Sequence, residues 1–440
     1  MATWFRRFLP IMLAVAMAAV AIPVTGQEEP SPEAPATTLR IVLGRALGEH
    51  AFLLGEVIRS GVADAPDFDA AADALDDNSA DVIGAIEDVY GSDAAAAFGE
   101  QWNNHVGYIV DYGRALADGD AGAAQLASEQ LDRYVADFGG FLADALPALP
   151  PDAVEGLIGE HVQQLEHVAS FSMEDFATAY GAIRETYAHM FAVGDGLTVG
   201  IVTRFPDRFT GRDQAFSPAA DLRQTLDRLL GEHSYLAALA MRAILRGTTT
   251  GEAVETALVA NSDELRNTIG SVYGAEAGEA FAVLWDEHDA AYIAYVEALA
   301  DGEESAAAAA LEAVSQQRMT FSRYVATVNP YLSADAFDAL MADHTDNLVR
   351  QADAYDAGEY DLAHHLAREG YVDAGEMSAS LAGAIADQFP QLFPDAAVPR
   401  PALPVDLIGG GMLVVSAALV ATLLASRRPR PSTRRAVPPA

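Results

Sequence analysis

Histidine is scarce in this chain, and its placement is repetitive. Ten are present in 440 residues, and the stretch Leu47-Gly48-Glu49-His50 returns as Leu230-Gly231-Glu232-His233, 183 residues later. His105 returns as His288 and His161 as His344 at the same offset, and a fourth slot pairs His189 with Asp373 at an offset of 184. Neutral imidazole is the commonest metal ligand in proteins, and a carboxylate in a histidine's place keeps a ligand-capable oxygen. The residue types therefore point to one metal centre per copy, built from His50, His105, His161 and His189, then from His233, His288, His344 and Asp373. A donor set of nitrogen and oxygen without sulfur suits zinc, iron or manganese, with copper also open. A second reading is equally physical: buried histidines can serve as polar packing, satisfied by neighbours such as Tyr112 and Asn78.

Each histidine lies mid-helix on an apolar seam. Leu43, Leu47, His50, Leu54 and Val57 follow helical spacing, as do Trp102, His105, Ile109 and Tyr112. Leu157, His161, Leu165 and Val168 form a third seam, and Ile183, Thr186, His189, Val193 and Leu197 a fourth, for which Tyr187 and Met190 compete. In an antiparallel bundle these rings share one height, and inward side chains on several helices are how bundles build metal sites. Glu49, Glu232, Glu160 and Asp343 precede their histidines by one residue, about 100° round the helix, and are expected in solvent. His167, His364 and His365 have no counterpart in the other copy and are expected at the surface.

The elements that must position these rings are helices. Ala, Leu, Glu, Asp and Arg dominate, which favours helix. Six helices are expected in the first copy, near 39–61, 67–90, 93–117, 121–145, 151–171 and 174–204, broken at Pro66, Gly91, Asp118-Gly119-Asp120, Pro147–Pro151 and Ser172. The apolar run Leu197–Phe205 could pass for a strand, but its counterpart Leu381–Phe389 reads as helix, and both are taken as helix. The fold expected is all-α: a tandem duplication of an antiparallel bundle over 39–208 and 221–393, joined by a linker at 209–220. A 183-residue period is too long for a solenoid, so the copies are expected as two whole domains.

The ends carry location. Residues 1–26 read as a signal peptide, with Arg6 and Arg7 ahead of an apolar stretch, and 27–38 as a Pro/Glu linker. The surroundings of the Arg pair match general secretion better than twin-arginine export. A stalk with several prolines at 394–406 precedes Leu407–Ser426, about 20 uncharged residues, long enough to span a bilayer. Five Arg follow in 427–440, and such residues stay on the cytoplasmic side. The expectation is a single-pass cell-membrane protein, its body outside and its tail inside. No LPxTG-type motif is present for attachment to the cell wall.

Composition excludes several classes. No cysteine is present, so disulfides, thiolate zinc sites and iron–sulfur clusters are ruled out. All 26 basic residues are Arg against 64 acids, and the net charge of −38 repels nucleic acid. No HExxH, GxSxG or P-loop appears, nor the paired motifs of hemerythrin or ferritin-like di-iron sites. No nucleophile or acid–base pair is visible, so enzymatic turnover has the least support.

The pattern of GEH, then WxxH with a Tyr seven residues on, then H-x3-L, then Tyr-x-His-Met resembles an all-helical extracytoplasmic repeat domain of bacterial secreted proteins. These are often labelled copper amine oxidase-like N-terminal domain-containing. His50, Trp102, His105, Tyr112, His161, Leu165, Tyr187, His189 and Met190 carry it here, and the second copy departs at Tyr371, Asp373 and Ala374. The resemblance implies an exported repeat unit rather than a reaction, since the chain lacks the Asn-Tyr-Asp/Glu of a quinone-forming oxidase.

Overall fold

In the computed structural model, residues 34–394 are described, except 173, 174 and 249. The signal peptide, the stalk, the membrane span and the Arg-rich tail expected from sequence lie outside the described residues, apart from Pro394. No helix among the described residues is long and apolar enough to cross a membrane.

The described chain is all-helical, with six long helices in each copy. The first copy comprises α1 (Pro35–Val62), α2 (Phe68–Tyr90), α3 (Ser92–Asp118), α4 (Ala121–Ala145), α5 (Pro151–Phe171) and α6 (Phe176–Arg204). A single turn, α7 (Arg212–Ala215), bridges the copies. The second comprises α8 (Pro218–Leu245), α9 (Gly251–Tyr273), α10 (Ala275–Ala300), α11 (Glu304–Val328), α12 (Ala334–Asp356) and α13 (Tyr360–Gln388). The expected helices agree with these, and Leu197–Arg204 is helical within α6. One boundary moves: residues 35–38, expected in the linker, form the first turn of α1 with Pro35 at its start, where a missing N–H costs nothing.

Local chemistry sets the ends. Asp120, Asp175, Ser217 and Ser333 cap α4, α6, α8 and α12 by accepting bonds from backbone N–H groups. Gly119 follows α3 with φ +68°, and its counterpart Gly302 repeats that value after α10. Left-handed backbone is where glycine carries no side-chain penalty.

The copies share one core cluster, while the other buried clusters each stay within a single copy or its linker. One cluster of buried side chains joins Phe52, Leu54 and Tyr187 of the first copy to Tyr235, Leu239 and Tyr371 of the second. Leu47–Ser60 of α1 and Leu229–Ala243 of α8 are buried without interruption. The single seam expected on α1 is thus one side of a helix buried all round. Its other side meets the second copy.

The contact between copies is reciprocal. Arg184 pairs with Glu232, and Arg368, its counterpart, pairs with Glu49. The Tyr187 hydroxyl donates to the Arg228 carbonyl, and that of Tyr371 to the Arg45 carbonyl, while the two hydroxyls lie 3.3 Å apart. Phe52 stacks on its own counterpart, Tyr235, at 4.7 Å. Such i-to-j and j-to-i pairing defines a two-fold, isologous interface. The chain is a dimer-like pair of bundles made from one polypeptide.

Candidate metal centre

Three of the four expected histidines converge in the first copy, and all three expected histidines converge in the second. The ligand-capable nitrogens of His50, His105 and His161 lie within 4.8 Å of one another, as do those of His233, His288 and His344. All six side chains are buried, none more than 3% exposed. The helices α1, α3 and α5 place the first triad, and α8, α10 and α12 the second.

The ring packing is aromatic. Trp102 lies 4.3 Å from His50 between centroids, and Trp285 lies 4.6 Å from His233. The Trp102 indole N–H donates to the Ser79 hydroxyl, which fixes the ring's orientation. Tyr134 stacks on His105 at 4.9 Å. The tryptophans act as core and as walls around the triads.

The Nε2 atoms of His50 and His105 are 3.2 Å apart. Two nitrogens bound tetrahedrally to one zinc at the usual bond length stand about 3.3 Å apart. The separation also suits a hydrogen bond, with one ring donating and the other accepting. His161 Nδ1 is 3.2 Å from the Thr186 hydroxyl, leaving Nε2 without a partner. Metal-binding imidazoles are typically anchored in this way through their second nitrogen. In the second copy both ring nitrogens of His233 and both of His344 lack hydrogen-bond partners. Each such orphan costs about 1–3 kcal/mol in a dry interior.

Electrostatics hold these rings in their ligand form. Burial pushes His105 down to about 4, His288 to about 3 and His344 to about 4. Burial lowers His50, His161 and His233 too, and neighbouring histidine rings add to the effect. A charged imidazolium loses its hydration when buried and repels the next ring, so the neutral state wins.

His189 and Asp373 do not join the triads. His189 Nε2 lies 3.0 Å from the Leu157 carbonyl, and its Nδ1 sits 3.8 Å from Glu160. Tyr187 and Met190, the competing side chains on α6, take the buried positions, and Thr186 reaches His161 instead. Asp373 stands half-buried; burial and then Asp343 push its carboxyl up to about 6. Asn78 also stays out, its amide donating to Glu49 and to the Ala46 carbonyl.

Three sequence expectations change. Glu49 and Glu232 are not solvated but buried, each bonded by an asparagine of its own copy and an arginine of the other. His364 is buried against Asp67 at 3.3 Å rather than exposed. Sequence reasoning also missed Asp289, whose Oδ1 lies 3.8 Å from His233 Nε2. Its signal was its place directly after His288, a position held by Val106 in the first copy. Burial pushes this carboxyl up to about 8, with Asp286 adding and a Ser262 hydrogen bond opposing.

No protein family, curated protein or solved structure matches this chain. The resemblance drawn from the histidine motifs therefore gains no support from relatives. The fold and site define an all-helical duplicated bundle with a triad of buried histidines in each half that could hold a metal ion.

Proposed function

We propose that each bundle binds one transition-metal ion on its three histidines, His50, His105 and His161 in the first and His233, His288 and His344 in the second. The protein would display these two centres outside the cell from a single C-terminal membrane anchor. One observation carries the metal reading: convergent, buried, neutral imidazoles whose nitrogens in several cases have no other partner. The placement outside the cell rests on the apolar Leu407–Ser426 and the Arg-rich tail in the sequence. Deep burial suits storage, structural reinforcement or sensing of an ion better than turnover of a bulky substrate.

The second reading is a non-catalytic surface scaffold with histidines as polar packing. The His161–Thr186 and His50–His105 contacts favour it, because they satisfy nitrogens without an ion.

Elemental analysis and metal-dependent melting of the purified protein separate the two. Under the metal reading, zinc, iron, manganese or copper co-purifies near two per chain. Re-adding the metal at a hundred times its dissociation constant then stabilises each site by about 2.7 kcal/mol. His105→Ala should remove the gain from the first site and leave the second. A melting curve indifferent to all four metals leaves the scaffold.

A further inference from the structure

The two triads have different surroundings. Val106 occupies in the first copy the position that Asp289 holds in the second. The Asp289 carboxylate stands 3.8 Å from His233, contacts the Ser262 hydroxyl at 3.4 Å, and has no arginine partner among the described residues. His233 beside it is 1% exposed, with neither ring nitrogen bonded. A carboxyl group thus stands beside one unpartnered imidazole, that of His233, in the second copy alone.

Charge makes that difference large. Three neutral imidazoles leave a divalent ion with its full charge in a dry interior, and burying uncompensated charge is costly. The neighbouring acids cannot compensate. Glu49 is committed to Arg368, Tyr235 and Asn78, and Glu232 to Arg184 and Asn261. In the second copy Asp289, 3.8 Å from His233 but outside the convergent triad, is near enough to turn in as a fourth ligand and give up its proton on doing so, and three imidazoles with one carboxylate fill a tetrahedral shell. In the first copy Val106 and the Tyr134 ring offer neither.

We propose that the two sites are functionally unequal: the second binds a divalent cation through four ligands, His233, His288, His344 and Asp289, and the first, with three histidines alone, binds the same cation much more weakly. This inference rests on the metal reading above.

Zinc chloride titrated into the metal-stripped whole protein, followed by calorimetry, tests it. Two steps are expected, the first at least tenfold tighter. His288→Ala should delete the tight step, and His105→Ala the weak one. Asp289→Asn keeps the shape and removes the charge, and it should weaken the tight step at least tenfold. Val106→Asp should tighten the weak step. Cobalt(II) absorption of the His105→Ala and His288→Ala variants follows each site separately, and the far-ultraviolet helical signal reports folding. Should Val106→Asp fail to fold, Asp289→Asn still decides. Two equal steps, or a tight step untouched by Asp289→Asn, overturn the inequality while leaving metal binding intact. Absence of any zinc or cobalt binding overturns this inference, and indifference to iron, manganese and copper as well overturns the metal reading beneath it.

Discussion

At the scale of single residues, the buried histidines make stability depend on pH in a definite direction. His105, His344 and His364 titrate near 4 and His288 near 3 in the folded chain, against an unfolded value of about 6.5. His50, His161 and His233 are lowered as well. As pH falls from about 6.5 to about 4, the unfolded chain takes up protons that these rings refuse. Stability is then lost as pH falls, each ring adding up to about one proton to the difference between the two states. Asp289 and Asp373 act oppositely, because their raised values of about 8 and about 6 keep protons on the folded chain that the unfolded chain releases near 4. Two carboxyls do not offset seven rings, so urea denaturation of metal-free protein should show stability falling steeply between pH 6.5 and 4.5. His105→Gln should flatten that slope by about one proton; a slope unchanged by it, or a flat profile, contradicts the burial that sets these values. The triads were legible in sequence because duplication marks them and helical spacing aims them inward. Asp289 was not, because a residue one step from a histidine points about 100° away on an ideal helix, and only the packing shows that this angle still reaches His233.

At the scale of elements, helix periodicity and breaker residues located the long helices, since each is amphipathic or bounded by Gly, Pro or a cap. What periodicity could not give is how closely two helices approach. A close crossing is α1 on α6, where a Cβ placed on Gly194 would meet the Gly44 backbone nitrogen at 3.0 Å and its Cα at 3.1 Å. Backbone cannot swing aside as a side chain can. Gly194→Ala should therefore push α6 off α1 and destabilise by about 1–3 kcal/mol, the usual cost of overpacking. Gly84 on α2 is the matched control, because a Cβ there meets nothing within 4 Å. Gly84→Ala should stabilise by about 0.5–1 kcal/mol through helix propensity alone. Thermal melts of both variants check the contrast, and equal effects would mean that the α1–α6 contact is looser than described. Because α1 carries His50 and α6 carries Thr186, Gly194→Ala should also disturb the first triad more than the second.

At the scale of the molecule, repetition predicted two bundles, and what it left hidden was their joint. Glu49, Glu56, Arg242 and Arg368 look like surface charges when one copy is read alone, since they meet partners 186 or more residues away in the other copy. Arg242 and Arg59 both reach Glu56 inside the joint, and Asp67 reaches His364 across it. Removing one member of such a buried pair leaves a charge without water or partner, typically costing about 3–5 kcal/mol. The sequence suggests that cutting the 209–220 linker would free two independent halves. The shared apolar cluster and reciprocal ion pairs argue for the opposite outcome. A protease site placed within 209–220 should, once cut, leave both fragments co-eluting as one particle and melting in one transition. Glu56→Ala should then loosen the nicked protein more than the intact one, because the intact chain holds the halves at high effective concentration while the nicked one depends on contacts alone. Fragments that separate on a sizing column at micromolar concentration, each melting as before, would show that the reciprocal contacts contribute little and that each bundle stands by itself.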